Sequence, residues 1–190
     1  MRIISGKFKG RRFHPPADNW PTRPTTDFAK EGLFNILNNL IDFEETKMLD
    51  LFGGTGSHSY EFISRGCADV TYVDKLAPAI QFVIKTAKEL RIEDQIRIVR
   101  SDVFTFIERA HEQYDYIFAG PPYPLPNIPE IPSIIFDKNM LLPEGMLVVE
   151  HNPHHNFDKH PNFTQARHYG KTIFSFFAPI AATEIIIQTD

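Results

Sequence analysis

The stretch Met48-Leu49-Asp50-Leu51-Phe52-Gly53-Gly54-Thr55-Gly56 reads as an apolar strand that runs into a glycine-rich turn and then a helix. In an open parallel sheet, ligands sit beyond the carboxyl ends of the strands, and a glycine turn there lets a ligand approach the backbone closely. Gly54 and Gly56 supply that turn, and Asp50 and Phe52 stand at the strand end beside it. A dinucleotide fingerprint would place another glycine three residues after Gly56, where this chain has Ser59, so a nicotinamide cofactor is disfavoured. Glycines alone also make ordinary strand-to-helix turns, and the reading needs support from the rest of the chain.

Working outward, short apolar runs alternate with stretches long enough for crossover helices. Strands are predicted over Met48 to Phe52, Val70 to Asp74, Ile96 to Arg100, Tyr116 to Ala119 and Met146 to Glu150, the pattern of a doubly wound α/β fold with a mainly parallel sheet. Asn162 to His168 and Thr172 to Phe177 flank Tyr169-Gly170-Lys171 and predict an antiparallel closing pair. Upstream, Arg2 to Ser5 and Arg11 to Phe13, joined through Gly6 and Gly10, predict a β-hairpin. Thr26 or Asp27 caps a helix carrying Leu33, Ile36, Leu37 and Leu40 at helical spacing. Ala181 to Asp190 is either a short strand or a tail. No repeat or linker divides the 190 residues, which are read as one domain with residues 1–24 as an extension.

Asp74, followed by Lys75, ends the second strand, where a carboxylate can accept hydrogen bonds from both hydroxyls of a ribose. Asp102 and Val103 follow the third strand. The carboxylate can accept from an adenine amine and the valine can flank the ring, although Asp102 would equally well cap the next helix. A ribose and an adenine without a pyrophosphate seat describe a methionine-derived nucleoside, S-adenosylmethionine. The fourth strand delivers Gly120-Pro121-Pro122-Tyr123. Two prolines stiffen the loop and leave carbonyl oxygens to accept from an amine, and Tyr123 offers a face for a base. An exocyclic base amine is a poor nucleophile until acceptors hold its hydrogens and turn its lone pair toward the methyl group.

Composition sets bounds on the rest. The chain is 42% hydrophobic and 23% charged, with one cysteine, Cys67, which rules out an internal disulfide and fits a reducing compartment. No apolar run approaches the roughly 20 residues that span a bilayer, nor is there a signal-peptide pattern at the start, so a cytoplasmic location is expected. The net charge of −4 is uneven. Residues 1–24 hold Arg2, Lys7, Lys9, Arg11, Arg12 and Arg23 against Asp18 alone, a balance of +5 that leaves −9 for the remainder. Such an arm suits phosphate contacts on an otherwise acidic body. His151, His154, His155 and His160 cluster without acidic or cysteine partners at ligand spacing, so no metal is expected. Pro124, Pro126, Pro129 and Pro132 extend the fourth-strand loop as a stiff lip.

Several motifs in order make the chain resemble the bacterial small-subunit ribosomal RNA guanine-N2 methyltransferases of the D type. They are residues 1–12, Arg23-Pro24-Thr25-Thr26-Asp27, Leu33-Phe34-Asn35-Ile36-Leu37, the glycine turn with Ser64-Arg65-Gly66, the fourth-strand loop, Gly145-Met146-Leu147-Val148-Val149-Glu150-His151, and Tyr169-Gly170-Lys171-Thr172. The resemblance implies a class I, Rossmann-like methyltransferase fold with an N-terminal hairpin. It further implies S-adenosylmethionine across the glycine turn, Asp74 and Asp102, and 16S rRNA of the small subunit or its assembly intermediate as partner. Contact with that RNA is implied for the hairpin and for Arg23, Thr25 and Thr26. A monomer is expected.

The chain departs from that family at Gly120, where members carry Asp or Asn as the expected acceptor for the guanine amine. Three outcomes follow: slow catalysis, compensation by a neighbouring acceptor, or a relative that binds RNA and does not methylate. A DNA adenine methyltransferase shares the Pro121-Pro122-Tyr123 loop, but the N-terminal motifs argue against it.

Overall fold

The computed structural model describes residues 1–15 and 25–180. The elements run α1 (Asp27–Leu37), β1 (Lys47–Leu51), α2 (Ser57–Ser64), β2 (Asp69–Asp74), α3 (Ala77–Leu90), β3 (Ile96–Arg100), α4 (Val103–Arg109), β4 (Tyr114–Ala119), α5 (Ile131–Asp137), β5 (Leu141–His151), β6 (Phe163–Tyr169) and β7 (Thr172–Phe177). One seven-stranded sheet has the order β3-β2-β1-β4-β5-β7-β6. Strands β1 to β5 pair in parallel, while β7 lies antiparallel to both β5 and β6. The chain order reverses between β1 and β4, so the strand ends there flank the crevice in which an open α/β sheet binds ligands.

Successive strand residues feed opposite faces. Met48, Tyr116, Phe118 and Val148 join the core under α1, α2 and α3, and Leu49, Ile117, Ala119 and Val149 join the core under α4 and α5. Burial on both faces explains why these strands read as continuous apolar runs. Asp50 shares the Met48 face and Glu150 the Val148 face, so both carboxylates emerge on the α1 and α2 side.

Three expectations need correction. The N-terminal hairpin forms but is shorter than expected: Arg2 bridges Arg12, and the Ile3 and Phe13 amides donate to the Arg11 and Met1 carbonyls at 2.9 and 3.1 Å, while Ile4 and Ser5 do not join the ladder. Its ladder is cut short because the amides of Ile4 and Ser5 donate to the Glu61 carboxylate at 2.8 and 3.0 Å, and Lys7 donates to the Ser64 carbonyl at 2.7 Å. Leu40 lies beyond α1 and is exposed, because the helix stops at Leu37. The first strand ends at Leu51, since Phe52 turns to a left-handed φ of 59°. The other strands lie where they were expected, with β2 and β4 starting earlier and β5 starting at Leu141. Residues 181–190 lie outside the described residues, and no helix among those described is long and apolar enough to cross a membrane.

Candidate active site

The turn after β1 is built around Tyr72 of β2. The Tyr72 hydroxyl donates to the Gly54 carbonyl at 2.6 Å, and its ring lies so near Gly53 that an added Cβ would come within 2.3 Å of it. Only glycine leaves room for that approach. Gly56 then starts α2 with φ 75°, a left-handed conformation that glycine adopts without steric cost. The amide of Gly54 donates to Asp74 Oδ2 at 2.9 Å, and the amide of Leu76 donates to Asp74 Oδ1 at 2.8 Å. Asp74 is thereby locked at the mouth of the turn, 8% exposed.

Two cavities share the walls Phe52, Gly120 and Pro122. The smaller, about 150 Å³, is lined by Asp74, Lys75, Leu76, Asp102 and Val103. Asp102 caps α4, its Oδ1 accepting from Phe104 at 3.0 Å, while its Oδ2 faces Lys75 Nζ at 3.4 Å. Capping and cavity lining thus coexist in one carboxylate. The larger cavity, about 260 Å³, is lined by Asp50, Gly54, His58, Tyr123 and Glu150 among others.

Asp50 is buried and accepts from Ser59 Oγ at 2.6 Å. Ser59 thus supports the acid at the position where a dinucleotide fingerprint would carry glycine. Burial pushes the Asp50 carboxyl up to about 7, with the Asp74 charge adding to the rise and the Ser59 hydrogen bonds opposing it. His58 stacks on Phe118 with centroids 3.8 Å apart and shares a hydrogen bond with the Tyr116 hydroxyl at 3.1 Å. Burial, reinforced by the charges of Lys30 and Arg65, pushes its pKa well down and leaves the ring neutral.

Gly120, Pro121, Pro122 and Tyr123 line the larger cavity, with one correction. The Pro122 carbonyl is not aimed outward, because it accepts from the Leu125 amide at 2.9 Å to close a turn. The Tyr123 hydroxyl donates to Glu150 Oε1 at 3.2 Å and lies 3.5 Å from Thr172 Oγ1. Thr25 also lines the cavity and donates through its hydroxyl to Glu150 Oε2. Thr26 is the α1 cap, accepting from the Ala29 amide at 3.2 Å.

The basic arm is pinned away from the cavities. Glu61, fully buried, accepts from Ile4, Ser5 and Arg65, and lies 3.6 Å from Lys30 Nζ. Lys30 in turn donates to Ser57 Oγ at 3.0 Å and to the Arg2 carbonyl at 2.5 Å. Lys7, Lys9, Arg11 and Arg12 remain exposed, Lys7 reaching Gln95 at 3.0 Å. Arg2 lies 3.9 Å from Asp27, and Arg23 lies outside the described residues. Among the described residues, no group of three acidic, histidine or cysteine side chains is arranged to hold a metal ion. His151 instead shares hydrogen bonds with Ser175 Oγ and the Asn152 carbonyl, both at 2.8 Å.

Sequence reading missed Thr55, Ser57, His58 and Glu150 as cavity residues. The first three continue the glycine turn and were within reach of its reading. Glu150 closes an apolar strand, where its one signal is a charge at the end of Met146 to Val149.

The family described as Conserved hypothetical protein 95 matches residues 1–178. The chain is 34% identical over 155 residues to YlbH of Bacillus subtilis, covering 80% of this chain and 83% of that one. It is 31% identical over 150 residues to ribosomal RNA small subunit methyltransferase D of Escherichia coli, covering 79% and 74%. The solved structure of yhhF from Escherichia coli superimposes with a TM-score of 0.81 at 26% identity, covering 95% of this chain and 98% of that one.

Proposed function

The chain belongs to the Conserved hypothetical protein 95 family, and from that membership we propose that it is an S-adenosylmethionine-dependent ribosomal RNA methyltransferase whose acceptor is the exocyclic N2 amine of a guanine in 16S rRNA. The observation that carries this reading is the shared wall of the two cavities. Asp74 and Asp102 line one, the Gly120-Pro121-Pro122-Tyr123 loop lines the other, and Phe52, Gly120 and Pro122 belong to both.

The residues fit the cofactor by the chemistry of their donors and acceptors. Asp74 retains lone pairs for a ribose diol after accepting two amides, since an ionised carboxylate offers about four acceptor sites. Phe52, Leu76 and Val103 make apolar walls for adenine, with Asp102 at their rim. Asp50, buried beside the turn, supplies negative charge for the cationic end of the molecule. When bound, S-adenosylmethionine supplies an electrophilic methyl group: the N2 lone pair forms the new bond, the C–S pair stays on sulfur, and one N2 proton is released. The protein's part is to hold the base, exclude water and keep donor and acceptor in line, which lowers the barrier by positioning.

The exposed Lys7, Lys9, Arg11 and Arg12, with Thr25 and Thr26 nearer the cavity, are the proposed RNA contacts. The rigid Glu61 anchor keeps that arm in register with the body. Phosphate contacts of this kind set position, while the cavity reads the base. The chain is taken to act as a monomer.

The test is transfer of labelled methyl to small ribosomal subunits lacking guanine-N2 methylation, with naked rRNA and duplex DNA in parallel. Label recovered as N2-methylguanine from the subunit is expected. Label on DNA adenine, or subunit binding with no transfer to any substrate, would overturn the reading.

A further inference from the structure

Gly120 and Glu150 leave the sheet side by side. Ala119 of β4 pairs with Val149 of β5, so the next residue on each strand points to the same face, with the backbones about 5 Å apart. On its other side β4 is still held to β1 at this point, the Gly120 amide donating to the Leu51 carbonyl at 3.2 Å. A side chain at position 120 would emerge into the larger cavity directly beside Glu150, which lines the same cavity at 5% exposure.

We infer that Glu150 is the acceptor for the substrate guanine amine, taking the place of the acid that position 120 lacks. This rests on the reading given under Proposed function. Glutamate is one methylene longer than aspartate, and its carboxylate lines the same cavity as Gly120. Within the loop itself, the Pro122 carbonyl is already engaged by Leu125, which removes one of the loop's backbone acceptors. The partners of Glu150 in the cavity wall, Tyr123 Oη and Thr25 Oγ1, hold its oxygens in place as donors and fix the carboxylate against rotation. A carboxylate so placed accepts from N1–H and N2–H of a guanine, a pairing that adenine and inosine do not reproduce.

Position 120 is also more crowded than position 150. A Cβ built on Gly120 lies 3.0 Å from Phe118 Cε1, and that ring is stacked on His58. An aspartate there needs Phe118 to give by a few tenths of an ångström, whereas Glu150 needs no change.

The experiment is a double-substitution cycle on the full chain with two readouts. The first is kcat and KM for small subunits. The second is binding of an RNA stem-loop presenting one unpaired guanine, against the same stem-loop with inosine, in the presence of S-adenosylhomocysteine. Glu150→Gln keeps the shape and should lower kcat about 100-fold with little change in KM, and should abolish a guanine preference of about tenfold. Gly120→Asp in that background should recover at least tenfold of the lost kcat, because coupled positions are not additive. Additive losses without recovery, or a guanine preference that survives Glu150→Gln, would make Glu150 a strut for Tyr123 and Thr25 and overturn the inference. If the parent protein methylates no subunit yet prefers guanine through Glu150, the functional reading fails and the inference stands. If it neither methylates nor discriminates, both fail.

Discussion

The Gly54 amide donates to Asp74 Oδ2 at 2.9 Å, so the glycine turn after β1 and the acid at the end of β2 form one rigid unit. On the proposed reading, a ribose bound to Asp74 would sit at a set distance from the turn. Asp74→Ala should weaken cofactor affinity about 10- to 100-fold, since hydrogen bonds to a charged group contribute roughly 1.5–3 kcal/mol. Calorimetric titration with S-adenosylhomocysteine checks this, and an unchanged Kd would remove Asp74 from the cofactor site.

Asp50 titrates near neutrality because burial raises its carboxyl to about 7. It is neutral below that pH and charged above it, so affinity for the cationic S-adenosylmethionine should rise between pH 6 and pH 8, and Asp50→Asn should flatten the rise. Stability runs the other way. A carboxyl whose folded pKa is raised contributes stability that is fully present below its ordinary value and is lost as pH climbs to about 7. Urea unfolding at pH 5 and pH 8 should therefore differ less in Asp50→Asn than in the parent.

Glu61 carries the N-terminal arm. It is fully buried and accepts from Ile4, Ser5 and Arg65 beside Lys30. Glu61→Gln leaves Lys30 and Arg65 without their counter-charge and should cost about 3–5 kcal/mol of stability. It should also expose residues 1–13 to limited proteolysis before the body. An arm that stays protected in a destabilised body would show that the anchor lies elsewhere.

The exposed Lys9, Arg11 and Arg12 should act through phosphates. Replacing all three with alanine should weaken subunit binding and lower the salt slope by about 2, taking roughly 0.7 per contact on a single strand, with S-adenosylhomocysteine affinity unchanged. Filter binding across a salt series checks this, and an unaltered slope would move the RNA contact off the arm.

The glycine turn, the alternation of strands and helices, and the closing β6–β7 pair were legible because each is a short-range pattern: a left-handed turn needs glycine, and a two-sided strand needs an apolar run. The bounds slipped where distant partners intervened. The hairpin ladder stopped early because Glu61, more than 50 residues away in sequence, captured two of its amides. Leu40 kept the helical spacing of α1 yet lies past its end, since spacing does not report where a helix stops.

Sequence alone determined the sheet class, the position of the glycine turn and the absence of an acid at Gly120, all of them properties of neighbouring residues. Tertiary structure alone decided what stands beside that gap. Gly120 and Glu150 are brought level by the pairing of β4 with β5 across the α5 crossover. Parallel register is set by packing on both faces of the sheet and leaves no periodic trace that joins the two strands in the chain.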